Sequence, residues 1–125
     1  MRYLGIDYGA KRIGLALSDP EERMAFPYGT VGHVDDVMAV VKKEGVGGIF
    51  IGFPKAPKGL KSGAIEALRR FAAELGREVQ LPIVFEDEMF TTKIAEEHTV
   101  REKADAAAAA LILQSYLDRQ VKRVK

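Results

Sequence analysis

Two hydrophobic patterns alternate along this chain, short continuous apolar runs and one-sided helical stripes. Arg2 to Asp7 is an apolar run closed by an acid, and it reads as a buried strand. Gly9-Ala10-Lys11-Arg12 reads as a turn, and Ile13 to Ser18 as a second strand. Residues near Thr30 offer a third. Asp35 or Asp36 can cap a helix that carries Val37, Val40 and Val41 on one face, and Gly45 can stop it. Gly48 to Gly52 is an apolar run of the kind found in a parallel strand covered on both faces. Lys55 to Lys61 is a Pro/Gly/Lys loop. Ser62 can cap a second helix with Ile65, Leu68, Phe71, Ala72 and Leu75 on its inner side, ended by Gly76. Leu81 to Phe85 is another buried strand. A helix can follow Thr91 or Thr92, and the last helix runs from about Glu102 to near the C-terminus. Strands alternating with helices imply a parallel part, and the opening hairpin an antiparallel one. The expected product is an α/β fold, one mixed sheet with helices on its faces.

Length and composition narrow the class. A chain of 125 residues, 47% apolar and 30% charged, fits a single globular domain over 1–125 with a core of its own. The absence of cysteine excludes disulfides and thiolate metal sites. Met1-Arg2 leads directly into a strand, with no signal-peptide pattern. The longest apolar run, Ala104 to Leu113, is interrupted by Asp105 and is too short to span a bilayer. These features point to the cytoplasm and away from a membrane. The net charge of +1 does not announce a nucleic-acid partner, so a basic surface must come from local clustering.

Three acidic positions carry candidate chemistry. Asp7 ends the first strand; period two puts Gly5 on its face, leaving room beside the carboxylate. It also fits a turn-starting aspartate. Glu86-Asp87-Glu88 follows the strand Leu81 to Phe85, and three adjacent carboxylates repel one another unless a cation sits among them. A solvated acidic loop is the alternative. Strand carboxyl ends are where open α/β sheets place their ligands. Asp105 shares a helix face with Ala108, Ala109 and Ile112, small residues that permit close approach to the sheet and bring Asp105 towards Asp7. A first-turn aspartate favoured by the helix dipole is the plainer reading. Converging carboxylates suit hard cations such as Mg²⁺ or Mn²⁺. Without metal, such a cluster is expected to be strained by mutual repulsion. His33 and His98 are isolated and read as surface or capping residues. Lys55, Lys58 and Lys61, with Lys11 and Arg12, form a candidate phosphate-binding surface, or else a solvated loop.

These segments, in order, resemble the YqgF family, whose members are described as Holliday-junction resolvases or nucleases for the small-subunit ribosomal RNA precursor. LGIDYGAKRIGLALSD at 4–19 resembles its first hairpin, IGFPKAPKG at 51–59 its glycine-x-proline loop, DEMFTT at 87–92 its Asp-Glu-Arg-x-Thr-Thr element, and DAAAAALILQSYLD at 105–118 its final helix. The resemblance implies an RNase H-like fold, a five-stranded mixed sheet flanked by helices on both faces. It implies Asp7, Glu88 and Asp105 as catalytic metal ligands, with Asp87 assisting. Met89 departs from the family arginine, which is replaced by a nearby base such as Lys93 or is not needed. The implied substrate is precursor rRNA or branched DNA, with ribosome association and either a monomer or a dimer. Two other readings stand beside it. One is a non-catalytic nucleic-acid-binding or ribosome-maturation factor. The other rests on Asp7-x-Gly9-x4-Gly14, which resembles the phosphate hairpin of actin-like ATPases and sugar kinases.

Overall fold

The computed structural model describes residues 1–9, 11–54, 63–88 and 101–124, and the side chains of all of these except 54, 87, 88, 101–104 and 120–124. Its elements are β1 (Arg2–Tyr8), β2 (Ile13–Ser18), β3 (Ala25–Val31), α1 (Val34–Glu44), β4 (Val46–Pro54), α2 (Ala64–Val79), β5 (Ile83–Glu88) and α3 (Arg101–Val124). The strands form one sheet in the order β3-β2-β1-β4-β5. The β1–β2 and β2–β3 pairs are antiparallel, as hairpins require, whereas β1–β4 and β4–β5 are parallel and reached through α1 and α2. This is the expected five-stranded mixed sheet with helices on both faces.

The two faces differ in residue size. Leu4 and Ile6 of β1, Ile13, Leu15 and Leu17 of β2, and Ile49 and Ile51 of β4 meet Val37, Val41, Leu68, Phe71 and Leu75 of α1 and α2 in the main core. The alternate positions, Gly5, Gly14, Ala16 and Ser18, are small and face α3. A side chain at Gly5 would come within 2.7 Å of the Ala109 carbonyl oxygen and 2.8 Å of Leu113 Cβ. Ala16 packs on Ala109 and Ala110, and Phe50 on Leu113 and Leu117. The alanine run therefore replaces side-chain thickness with backbone proximity, and α3 touches all five strands. Gln114 anchors it to the sheet edge: its Oε1 accepts from the Ala25 N–H at 2.8 Å and its Nε2 donates to the Arg23 carbonyl at 3.0 Å.

Local chemistry moved several boundaries. His33, not an aspartate, caps α1, its Nδ1 accepting from the Asp35 N–H at 3.1 Å. Asp35 and Asp36 fall in the first turn, where the helix dipole favours acids. Gly45 ends α1 in the left-handed region, as expected. Gly76 does not end α2. The helix runs one turn further, partly burying Val79 against the core, and closes on Gln80, whose N–H bonds the Gly76 carbonyl at 3.3 Å. Gly63 occupies the α2 N-cap without a side-chain cap bond; Ser62, the expected cap, lies outside the described residues. β5 starts later than its apolar run and includes the acids: Gly52, Phe53 and Pro54 pair with Glu86, Asp87 and Glu88. Strand pairing is a backbone property, so a carboxylate is tolerated wherever its side chain is satisfied. Among the described residues no helix is long and apolar enough to cross a membrane.

Candidate active site

The β1–β2 hairpin builds the first wall. Gly9 donates its N–H to the Arg12 carbonyl at 2.9 Å, and a side chain there would press on that same oxygen at 2.8 Å, so glycine suits the tight return. The turn sets the register in which Asp7 lies opposite Gly14. Directly paired strand residues share a face. A side chain at Gly14 would overlap the backbone carbonyl of Asp105. The backbone of Asp105 thus lies over Gly14, the register partner of Asp7, on a floor that glycine keeps empty.

Asp105 does not stand as a bare anion. Arg12 Nε donates to its Oδ2 at 2.5 Å, the guanidinium side chain 34% and the carboxylate side chain 22% exposed. A basic residue assigned from sequence to nucleic acid is therefore an ion-pair partner of a candidate ligand. Mutual repulsion, expected for the metal-free cluster, is offset at Asp105 by this contact.

The second wall is β5. One step beyond the pair Ile6 and Ile51, the β1–β4 register sets Asp7 level with Gly52, which pairs with Glu86. Gly52 keeps the sheet surface clear between the two acids. Glu86 is only 5% exposed, and Arg119 of α3 donates to its Oε1 at 2.5 Å. Glu88 takes the last ladder position of β5, opposite Pro54, and has the parity of Glu86. Asp87 takes the ladder position between them, opposite Phe53. The local pattern shows the three acids as one run and does not place them on the ladder, where they fall opposite Gly52, Phe53 and Pro54. It also missed Arg119, although that residue lies close to four helical turns beyond Asp105 and so on the same stripe of α3.

Lys11 is exposed on the hairpin turn beside Arg12. Lys55, Lys58, Lys61, Met89 and Lys93 lie outside the described residues. Among the described residues no group of three His, Cys, Asp or Glu side chains is placed to hold a metal. Asp105 nonetheless already accepts one cation, the Arg12 guanidinium, and Asp7, opposite Gly14 in the strand register, offers further carboxylate oxygens. That donor set fits a hard divalent ion, for which one or two carboxylates with water are the usual protein share.

The RuvX family, described as Holliday junction resolvase, matches residues 1–119. A protein of Maridesulfovibrio salexigens named "Putative pre-16S rRNA nuclease" is 34% identical, over 95% of this chain and 99% of its own length. Proteins of the same name from Paramagnetospirillum magneticum and Geobacillus thermodenitrificans are 37% and 38% identical, over 94% of this chain in each case and 85% and 98% of their own lengths. Among solved structures, Thermus thermophilus RuvC in complex with Holliday junction substrate superimposes with a TM-score of 0.66 at 13% identity, covering 98% of this chain and 96% of that one. This likeness establishes the RuvC-like RNase H fold. The chain belongs to the RuvX family.

Proposed function

We propose that this chain is a metal-dependent nuclease that hydrolyses phosphodiester bonds of structured nucleic acid, the whole of 1–125 acting as one domain in the cytoplasm. The observation that carries the reading is the placement of Asp105 over Gly14, the register partner of Asp7, on the helix-covered face of an RNase H-like sheet. Asp7 and Asp105 supply carboxylate oxygens from two elements, and Glu88 is the third ligand, at the end of the neighbouring strand. Asp87, beside Glu88 at the end of the same strand, assists it. Mg²⁺ or Mn²⁺ held there supplies the positive charge that activates an attacking water and stabilises the leaving oxygen. The residues themselves fix the carboxylates before substrate arrives, through the glycine floor and the packed alanine helix. Lys11, with Lys55, Lys58 and Lys61, holds the phosphate backbone and sets affinity rather than sequence preference.

The names of the curated relatives favour the 5′ region of precursor 16S rRNA as substrate, which places the protein near the maturing ribosome; the family description favours a four-way junction. The test is purified protein with Mg²⁺ or Mn²⁺ against a precursor rRNA fragment, a four-way junction and plain duplexes, with Asp7→Asn as the control. Cleavage of one structured substrate, lost in the control, is the expected result. Tight binding without cleavage of any substrate would return the protein to a maturation factor that binds and does not cut.

A further inference from the structure

Arg12 is held by two things at once. Its backbone is fixed by the Gly9 hairpin bond, and its side chain reaches across to the first described side chain of α3, Asp105. The contact joins residues 93 apart in sequence and ties the hairpin turn to α3. A guanidinium N–H on Oδ2 takes one of the lone pairs open to a divalent cation and sets a positive charge beside the position that cation would take. Both side chains keep partial access to water, so the pair can exchange rather than being locked in the core.

We infer that Arg12 is a resident counter-cation of the metal site: it neutralises Asp105 while the site holds no metal, and it must leave Asp105 for a divalent ion to bind there. The inference rests on the metal-site reading above and adds an internal competitor to it. A lysine-like or guanidinium charge at position 12 lowers metal affinity, and a neutral side chain raises it. Two unit charges of the ion against one of Arg12, a few ångströms apart in a solvent-accessible site, set the scale of the effect at roughly tenfold in affinity.

The experiment is Mn²⁺ binding by calorimetry, without nucleic acid, to wild type, Arg12→Gln, Arg12→Lys, Asp105→Asn and the Arg12→Gln/Asp105→Asn double variant. Arg12→Gln is expected to bind Mn²⁺ on the order of tenfold more tightly than wild type, Arg12→Lys close to wild type, and the double variant no better than Asp105→Asn. Wild type provides a second readout that needs no substitution. The Arg12 Nε–H resonance, displaced by its carboxylate partner, moves to the position of a solvated arginine as Mg²⁺ is added. Mn²⁺ affinity that is equal or weaker in Arg12→Gln, or an Nε–H signal unmoved at saturating Mg²⁺, overturns the inference. If Asp105→Asn leaves Mn²⁺ binding unchanged, the metal reading itself fails. If Asp105→Asn weakens binding while Arg12→Gln does not strengthen it, the counter-cation role alone fails.

Discussion

At the scale of single residues, the site depends on atoms that are missing. Gly14 and Gly5 are the two places where the α3 backbone meets the sheet without an intervening side chain. Gly14→Ala should drive the Asp105 carbonyl off the sheet, costing about 1–3 kcal/mol of stability as overpacking does, and should reduce cleavage by shifting Asp105 from Asp7. Gly29→Ala is the matched control, since nothing lies within 4 Å of a side chain there; it should stay within about 0.5 kcal/mol of wild type. Urea unfolding of both, beside cleavage rates, checks this; equal stability of the two variants would remove the close-approach argument. The Glu86–Arg119 pair is the charged counterpart. Arg119→Met leaves a carboxylate that is 5% exposed without its donor, and should cost about 1–3 kcal/mol because the arginine, 49% exposed, lets water in. The Glu86→Gln/Arg119→Met double variant should recover part of that loss, and a double-mutant cycle measures the coupling. Additive single losses would show that the pair contributes little.

At the scale of elements, the β2–β3 connection is capped from within by Asp19. Asp19 Oδ1 accepts from the N–H groups of both Arg23 and Met24 at 2.8 Å. These backbone donors, Met24 foremost, hold its carboxyl below the usual range. A depressed folded-state value means that the stabilisation is complete above the unfolded carboxylate value, near 3.9, and is lost as pH falls through the lower folded value. Asp19→Ala should therefore melt below wild type at pH 7, with the gap closing under acid conditions. Melting curves from pH 7 to pH 2.5 test the sign; a gap constant across that range would assign the loss to packing instead. The same connection positions Ala25, whose N–H meets Gln114 of α3. A weakened turn thus loosens the helix that carries Asp105.

At the scale of the whole molecule, metal and fold stabilise each other if the site is as proposed. Mg²⁺ at about 100 times its dissociation constant should raise stability by about 2.7 kcal/mol, and Asp7→Asn and Asp105→Asn should lose most of that gain. Without metal, Asp105→Asn should melt below wild type, because Arg12 loses its charged partner. Repulsion alone would make such an amide neutral or stabilising, and the ion pair reverses that sign. A melting series with and without Mg²⁺ decides it; an identical Mg²⁺ shift in all three proteins would sink the ligand assignment.

The order of strands and helices follows from periodicity alone, because a strand or helix buries whichever positions its own repeat aligns. Asp7 and Asp105 were also legible as candidate positions, one at a strand end and one on an alanine face. Boundaries that depend on backbone satisfaction were not: α2 passes Gly76 to bury Val79, and β5 takes in Glu86 because Arg119 is waiting for it. Pairings between distant side chains were beyond reach for the same reason. Nothing in the local pattern around Arg12 distinguishes a phosphate ligand from the partner of an acid 93 residues away. Period and composition act locally, so the sequence determined the fold class and the acids. Register and helix docking bring remote residues together, so only the tertiary structure decided which acid meets which base.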